Sequence, residues 1–68
     1  MVKEYKYLDL FYEMRKNRES LTKVAKLLDV TPQTVSAKLA GVHDWTIGEI
    51  EILCEHYGKD YYALFKKV

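Results

Sequence analysis

Few side chains in this 68-residue chain are of the kinds that carry covalent, acid–base or metal chemistry. There is one cysteine, Cys54, and there are two histidines, His43 and His56. Cys54 and His56 stand two positions apart on an expected helix, where side chains point away from each other. No CxxC or HxxxH spacing occurs, so no metal site is expected. A lone cysteine on the inner stripe of an amphipathic helix packs as a small hydrophobe. It cannot form an internal disulfide, which agrees with a reducing compartment. The chain has no glycine-rich phosphate loop, and no nucleophile with a base and an orienting group at a readable spacing. The expectation is a protein that is not an enzyme, with no cofactor and no small-molecule substrate.

Another chemistry is legible in residues 21–41, LTKVAKLLDVTPQTVSAKLAG. Two short amphipathic segments flank a tight Asp29-Val30-Thr31 turn. On a wheel of about 100° per residue, Val35, Leu39 and Pro32 define the inner side of the second segment. Ala37, Gln33 and Thr34 hold the opposite side, with Lys38 and Ser36 flanking it. No carboxylate lies between Pro32 and Ala40. A small polar face without anions suits the DNA major groove. There glutamine bonds bidentately to adenine, threonine serves several bases, and an alanine or threonine methyl meets the thymine methyl. The alternative is a tight helical hairpin whose outer face is neutral without being a contact surface.

The elements that position this face follow from periodicity and capping chemistry. Residues 4–16 place Tyr7, Leu10, Phe11 and Met14 at i, i+3, i+4 and i+7, an amphipathic helix. Arg15, Lys16 and Arg18 sit at its end, where cations suit the helix dipole. Ser20 caps a second helix with Leu21, Val24, Ala25 and Leu28 on its inner stripe. Thr31 caps a third, whose first position is Pro32, and Gly41 stops it. Thr46 and Glu49 have capping-box spacing and open a fourth helix. That helix faces Ile47, Ile50, Leu53, Cys54 and Tyr57 inward and ends at Gly58. Trp45, just before the cap, is placed to staple onto Ile50. Asp60 caps a last short segment that docks Tyr61, Leu64 and Phe65. Tyr7, Tyr57 and Tyr61 fit the rim of a core, whereas Tyr5, Tyr12 and Tyr62 fit the exterior. The expected fold is all-α, a single domain over residues 1–68 with five helices and no strand.

Composition agrees. An apolar content of 49%, with 13% aromatic residues, is enough for a small core and argues against disorder. The apolar runs are too short to span a membrane, and MVKEYKY lacks the apolar stretch of a signal peptide. A cytoplasmic protein with no membrane partner is expected. The net charge is +1 but unevenly spread. Residues 15–40 hold Arg15, Lys16, Arg18, Lys23, Lys26 and Lys38 against Glu19 and Asp29, a net +4. Residues 41–60 hold Lys59 against Asp44, Glu49, Glu51, Glu55 and Asp60, a net −4. Such polarity orients a molecule on a polyanion with the basic segment inward; two solvated helix faces are the plainer reading.

Residues 21–41 resemble the helix-turn-helix of the phage-repressor family (lambda repressor-like, Xre/Cro type). The matching set is Ala25 in the first helix, the turn Asp29-Val30, the cap Thr31, then Val35-Ser36 and the closing Gly41. The downstream WTIGEIEILCEHYGKDYYALF is similar to the family's fourth and fifth helices, and residues 5–16 can serve as its first. The resemblance implies a compact five-helix lambda-repressor-like domain that binds an operator in double-stranded DNA sequence-specifically. Its role would be that of a phage-type repressor or Cro-like transcriptional regulator, with the third helix in the major groove. Relatives often bind as homodimers, with recognition helices about 34–36 Å apart.

The resemblance implies base contacts from Thr31, Gln33, Thr34 and Ala37, with Lys38 beside them. It implies phosphate contacts from the N-terminal ends of the second and fourth helices, here Ser20, Thr22 and Lys23, and Trp45 and Thr46. Ser36 matches a position that packs or touches phosphate. Tyr62 and Phe65 are the implied dimer contacts, although Phe65 also fits the closing of the core. Leu21 stands where the family commonly has glutamine, Asp29 where it usually has glycine, and the loop GVHDW has no Lys or Arg. The alternative function is a protein-interaction module that keeps this fold without DNA binding. The acid-bearing loop, Leu21 and the near-neutral charge point that way.

Overall fold

The structure, a computed structural model, describes residues 5–66. In chain order, α1 spans Leu8–Lys16, α2 Leu21–Leu28, α3 Pro32–Leu39, α4 Ile47–Tyr57 and α5 Tyr61–Phe65. No strand occurs among the described residues, so the all-α, five-helix expectation holds there. No described helix is long and apolar enough to cross a membrane.

Local chemistry accounts for where four of these helices begin. The Ser20 hydroxyl accepts the Lys23 amide at 3.2 Å, and the Thr31 hydroxyl accepts the Thr34 amide at 3.2 Å. Thr46 accepts the Glu49 amide at 3.1 Å while the Glu49 carboxylate accepts the Thr46 amide at 3.0 Å, closing the expected capping box. Asp60 accepts the Ala63 amide at 2.8 Å. Each bond satisfies a first-turn donor that the helix itself leaves unpaired, and losing one typically costs about 1 kcal/mol.

The ends of α1 to α4 share one device. The amides of Glu19, Val30, Val42 and Lys59 each reach back five residues, to the carbonyls of Met14, Ala25, Ala37 and Cys54. This closure requires a left-handed residue just before the donor. Those residues are Arg18 (φ 58°), Asp29 (φ 60°), Gly41 (φ 83°) and Gly58 (φ 66°). Asp29 therefore takes the left-handed conformation that its position in the turn implies. Arg18 does the same, a feature its neighbours in sequence do not announce.

The core draws on every helix. Leu10 and Met14 come from α1, Val24, Ala25 and Leu28 from α2, Val35 and Leu39 from α3, Leu53 from α4, and Leu64 and Phe65 from α5. α2 packs on α3, and α1 bridges α3 and α5, with α4 against α5. The Cα radius of gyration is 10.7 Å.

Four expectations need correction. The first helix begins at Leu8, not at residue 4, which lies outside the described residues. The amides of Lys6 and Tyr7 donate to the Leu39 carbonyl, at 2.8 and 3.2 Å, so this segment is tied across the end of α3. Tyr5, expected outside, is half-buried there, its hydroxyl 3.3 Å from Ser36 Oγ. Ile47 does not face inward and is 76% exposed. Glu49 takes the inner side of that first turn, and Ile47 lies about 200° around the helix from it. Tyr61 is also exposed, its ring stacked 5.7 Å from that of Phe65.

Candidate nucleic-acid interface

The turn between α2 and α3 sets the geometry of the candidate surface. Val24, Ala25 and Leu28 of α2 and Val35 and Leu39 of α3 are buried together, so the two helices hold each other through their inner stripes. Asp29 reverses the chain in the left-handed region and Thr31 starts α3 immediately afterwards. What remains outward on α3 is short and polar. Gln33 and Thr31 are exposed, and Thr34 and Ala37 are half-exposed. The Thr31 and Thr34 hydroxyls lie 2.9 Å apart and bond to each other. That contact holds both side chains in place while leaving acceptor capacity on each. Thr31, Gln33, Thr34 and Ala37 thus share one accessible region, as the wheel implies.

Lys38 does not belong to it. The residue is 7% exposed and its side chain turned inward, where the ammonium pairs with the Glu49 carboxylate of α4. The same ammonium lies 5.9 Å from the ring centre of Trp45. An aliphatic stem can lie along a core while the charge finds a partner, and here the partner is across the loop. Ser36 is buried too and bonds to Tyr5, so it takes the packing side of its two implied roles.

The N-terminal ends expected to meet phosphate divide similarly. Ser20, Thr22 and Lys23 are exposed at the start of α2. Leu21 between them is half-buried against the core. At the start of α4, Thr46 is exposed and Trp45 half-buried. The indole N–H of Trp45 is covered and has no hydrogen-bond partner among the described residues. Trp45 and Ile50 line one depression, which is where the expected staple would bring them.

Of the two implied dimer residues only Tyr62 is on the surface, at 70% exposure. Phe65 is 4% exposed and belongs to the core. Its ring packs edge-on against Trp45 at 5.4 Å and Tyr7 at 6.2 Å. Phe65 is therefore not a surface contact; it closes the core.

Electrostatics sharpen the picture. Arg15, Lys16, Arg18, Lys23 and Lys26 are all exposed on α1, α2 and the link between them. Arg15 lies over the Phe11 ring at 5.8 Å. Glu19, the acid within this basic stretch, is bound up elsewhere. It accepts the Tyr57 hydroxyl at 2.6 Å and lies 2.8 Å from His56 Nε2. Burial alone would raise the Glu19 carboxyl, but the bonds from Tyr57 and His56 outweigh it, and the group sits below its ordinary value of 4.5. Burial and the facing Glu19 push the Tyr57 phenol far above its ordinary range. Glu49 repeats the pattern: burial opposes ionisation, and the Lys38 and Thr46 bonds overcome it.

These three long-range partnerships, Tyr5 with Ser36, Glu19 with Tyr57 and His56, and Lys38 with Glu49, have no counterpart in local spacing. Only Glu49 carries a readable signal, its capping-box position. Cys54 is half-buried, and burial followed by the charge of Asp60 raises its thiol. No group of three potential metal ligands occurs among the described residues. The chain matches no family model, no curated protein and no solved structure.

Proposed function

We propose that this protein is a sequence-specific double-stranded DNA-binding domain with a lambda-repressor-like helix-turn-helix formed by α2 and α3, acting as a repressor or Cro-like regulator. The observation that carries the reading is the outward side of α3. Thr31, Gln33, Thr34 and Ala37 are accessible there and free of charge, behind a left-handed turn that seats α3 against α2. The burial of Lys38 adds to it, because its pairing with Glu49 leaves the exposed part of α3 without any ion. In this reading α3 enters the major groove, Gln33 reads a base edge, and the exposed cations from Arg15 to Lys26 supply phosphate attraction.

The second reading, a protein-interaction module on the same fold, is favoured by one feature. Val42 and Ile47 are large, apolar and exposed beside the start of α4, where phosphate contacts are otherwise expected. Selection of binding sites from a random duplex pool, followed by a salt titration of the best site, separates the two. An enriched site whose log–log salt slope is about −4, for some four phosphates neutralised, supports operator binding. No enrichment from folded protein moves the function to a protein partner.

A further inference from the structure

A groove lies where the start of α2 meets the end of α4. Glu19, just before α2, accepts the Tyr57 hydroxyl and lies 2.8 Å from His56 Nε2, which joins the two helices at that end. Both helices lead away from this joint. Glu19, Lys23, Val24, Lys26, Leu27 and His56 line an open groove of about 370 Å³ beside it. Ile52 precedes His56 by one helical turn and lies about 40° from it around α4, so it prolongs the α4 lip of the groove. Leu27 and Ile52 are two of the few large apolar side chains left exposed, one on each helix.

The two lips carry opposite charge. On α2, Lys23 and Lys26 flank Leu27, and both are exposed. On α4, Glu55 lies about 60° from Ile52 on the outward side, with Glu51 one turn before it, and both are exposed. Glu19 is already held by His56 and Tyr57. Lys26, Glu51 and Glu55 form no ion pair among the described residues. An apolar patch rimmed by polar residues marks an interaction surface, and complementary charges across an interface fix its register. What complements this surface is the same surface turned over. A twofold axis running along the groove sets each α2 lip against the α4 lip of a second copy. Leu27 then meets Ile52 of the second copy, and Lys26 faces its Glu55. Such an isologous contact makes every pair twice and closes as a dimer, whereas complementary patches on separate faces would build open chains.

We infer that the groove between α2 and α4 is a homodimer interface, with Leu27 and Ile52 at its centre and Lys26 paired to Glu55 of the second copy. The exposed side of α3 takes no part, and pairing does not depend on DNA binding. Association is thereby placed on α2 and α4 rather than on α5. Lys26 is the cation to vary, because Lys23 also stands among the expected phosphate contacts. The experiment is sedimentation equilibrium of the intact protein without DNA, with a thermal midpoint for each variant to show that it is folded.

A concentration-dependent monomer–dimer equilibrium is expected for the wild-type chain, and Ile52→Asp is expected to weaken it at least about tenfold. Lys26→Glu and Glu55→Lys each set like charges against each other across the interface, and each should weaken it about tenfold. Combined in one chain, they restore opposite charges at both pairs and should return the dissociation constant to within about threefold of wild type. Tyr62→Ala should leave it unchanged. A wild-type chain that stays monomeric up to about 1 mM would overturn the proposal. So would a dimer that survives Ile52→Asp, a combined variant no tighter than either single one, or dissociation by Tyr62→Ala.

Discussion

Lys38 and Glu49 are joined in a buried ion pair that ties α3 to α4, and the oxygen of Glu49 that meets Lys38 also accepts the Thr46 amide. One carboxylate thus completes a helix cap and neutralises the only charged side chain of α3. Removing either partner leaves the other covered without its counter-ion, but the two are not equivalent. In Lys38→Met the aliphatic stem is kept and Glu49 retains the Thr46 amide. In Glu49→Ala the counter-ion and the carboxylate half of the capping box are both lost, while Thr46 still accepts the amide of residue 49. Glu49→Ala is expected to lower unfolding free energy by about 2–4 kcal/mol, and Lys38→Met by less. Urea denaturation of both variants checks the order; a larger loss in Lys38→Met would mean that the cap contributes little.

Acid should loosen the fold through two carboxylates. Glu19 and Glu49 both lie below their ordinary value of 4.5, and each is held there by hydrogen bonds that outweigh burial. A carboxyl depressed in the folded state contributes stability above its unfolded pKa and loses it as pH falls through the folded one. The urea midpoint is therefore expected to be flat just above pH 5 and to drop below about pH 4.5. Glu19→Gln should make that drop shallower while lowering stability at neutral pH. An unchanged acid limb in this variant would remove Glu19 from the account.

Asp29 adopts φ 60° and ψ 46° at the turn between α2 and α3. The left-handed region strains a side chain by roughly 1–2 kcal/mol, less for aspartate, which tolerates it. Glycine relieves the strain but gives the unfolded chain more freedom. The balance favours Asp29→Gly by a few tenths to about 1 kcal/mol. A higher midpoint in thermal or urea unfolding is the expected outcome; a lower one would show that the aspartate side chain contributes more than its backbone strain costs.

The burial of Phe65 and the exposure of Tyr62 separate packing from association. Phe65→Ala removes a ring packed against Trp45, Tyr7 and Tyr61 and is expected to cost about 3–5 kcal/mol, enough to unfold so small a domain. Tyr62→Ala should leave the monomer within about 0.5 kcal/mol of its stability. If the domain pairs through α5, sedimentation will show Tyr62→Ala shifted towards monomer. An identical sedimentation profile would take α5 out of any dimer.

If α3 reads DNA, Gln33→Ala should cost about 1–3 kcal/mol on the selected site and relax preference at one base pair. Lys23→Ala should weaken binding on all sequences and flatten the salt slope by about one. Equal losses for Gln33→Ala on matched and mismatched sites would end its base-reading role.

The sequence alone determined the helices, their caps and most of their inner stripes, because these depend on contacts within one or two turns. Ser20, Thr31, Thr46 and Asp60 accept amides three residues ahead, and Asp29 and Gly58 sit where a helix must reverse. The accessible region of α3 was legible for the same reason: Thr31, Gln33, Thr34 and Ala37 follow from the position of Val35 and Leu39 on one wheel. Tertiary structure decided which flanking residues stayed outside. Lys38 is buried because a glutamate eleven residues later faces it, and Phe65 because Tyr7 and Trp45 close over it. Ile47 is exposed because Glu49 holds the inner side of its turn, and Arg18 is left-handed because α1 closes onto Met14. The packed cluster of Tyr7, Trp45 and Phe65 has the same origin. Its rings come from residues up to 58 positions apart in the chain, and no periodicity within a single helix encodes a meeting between separate elements.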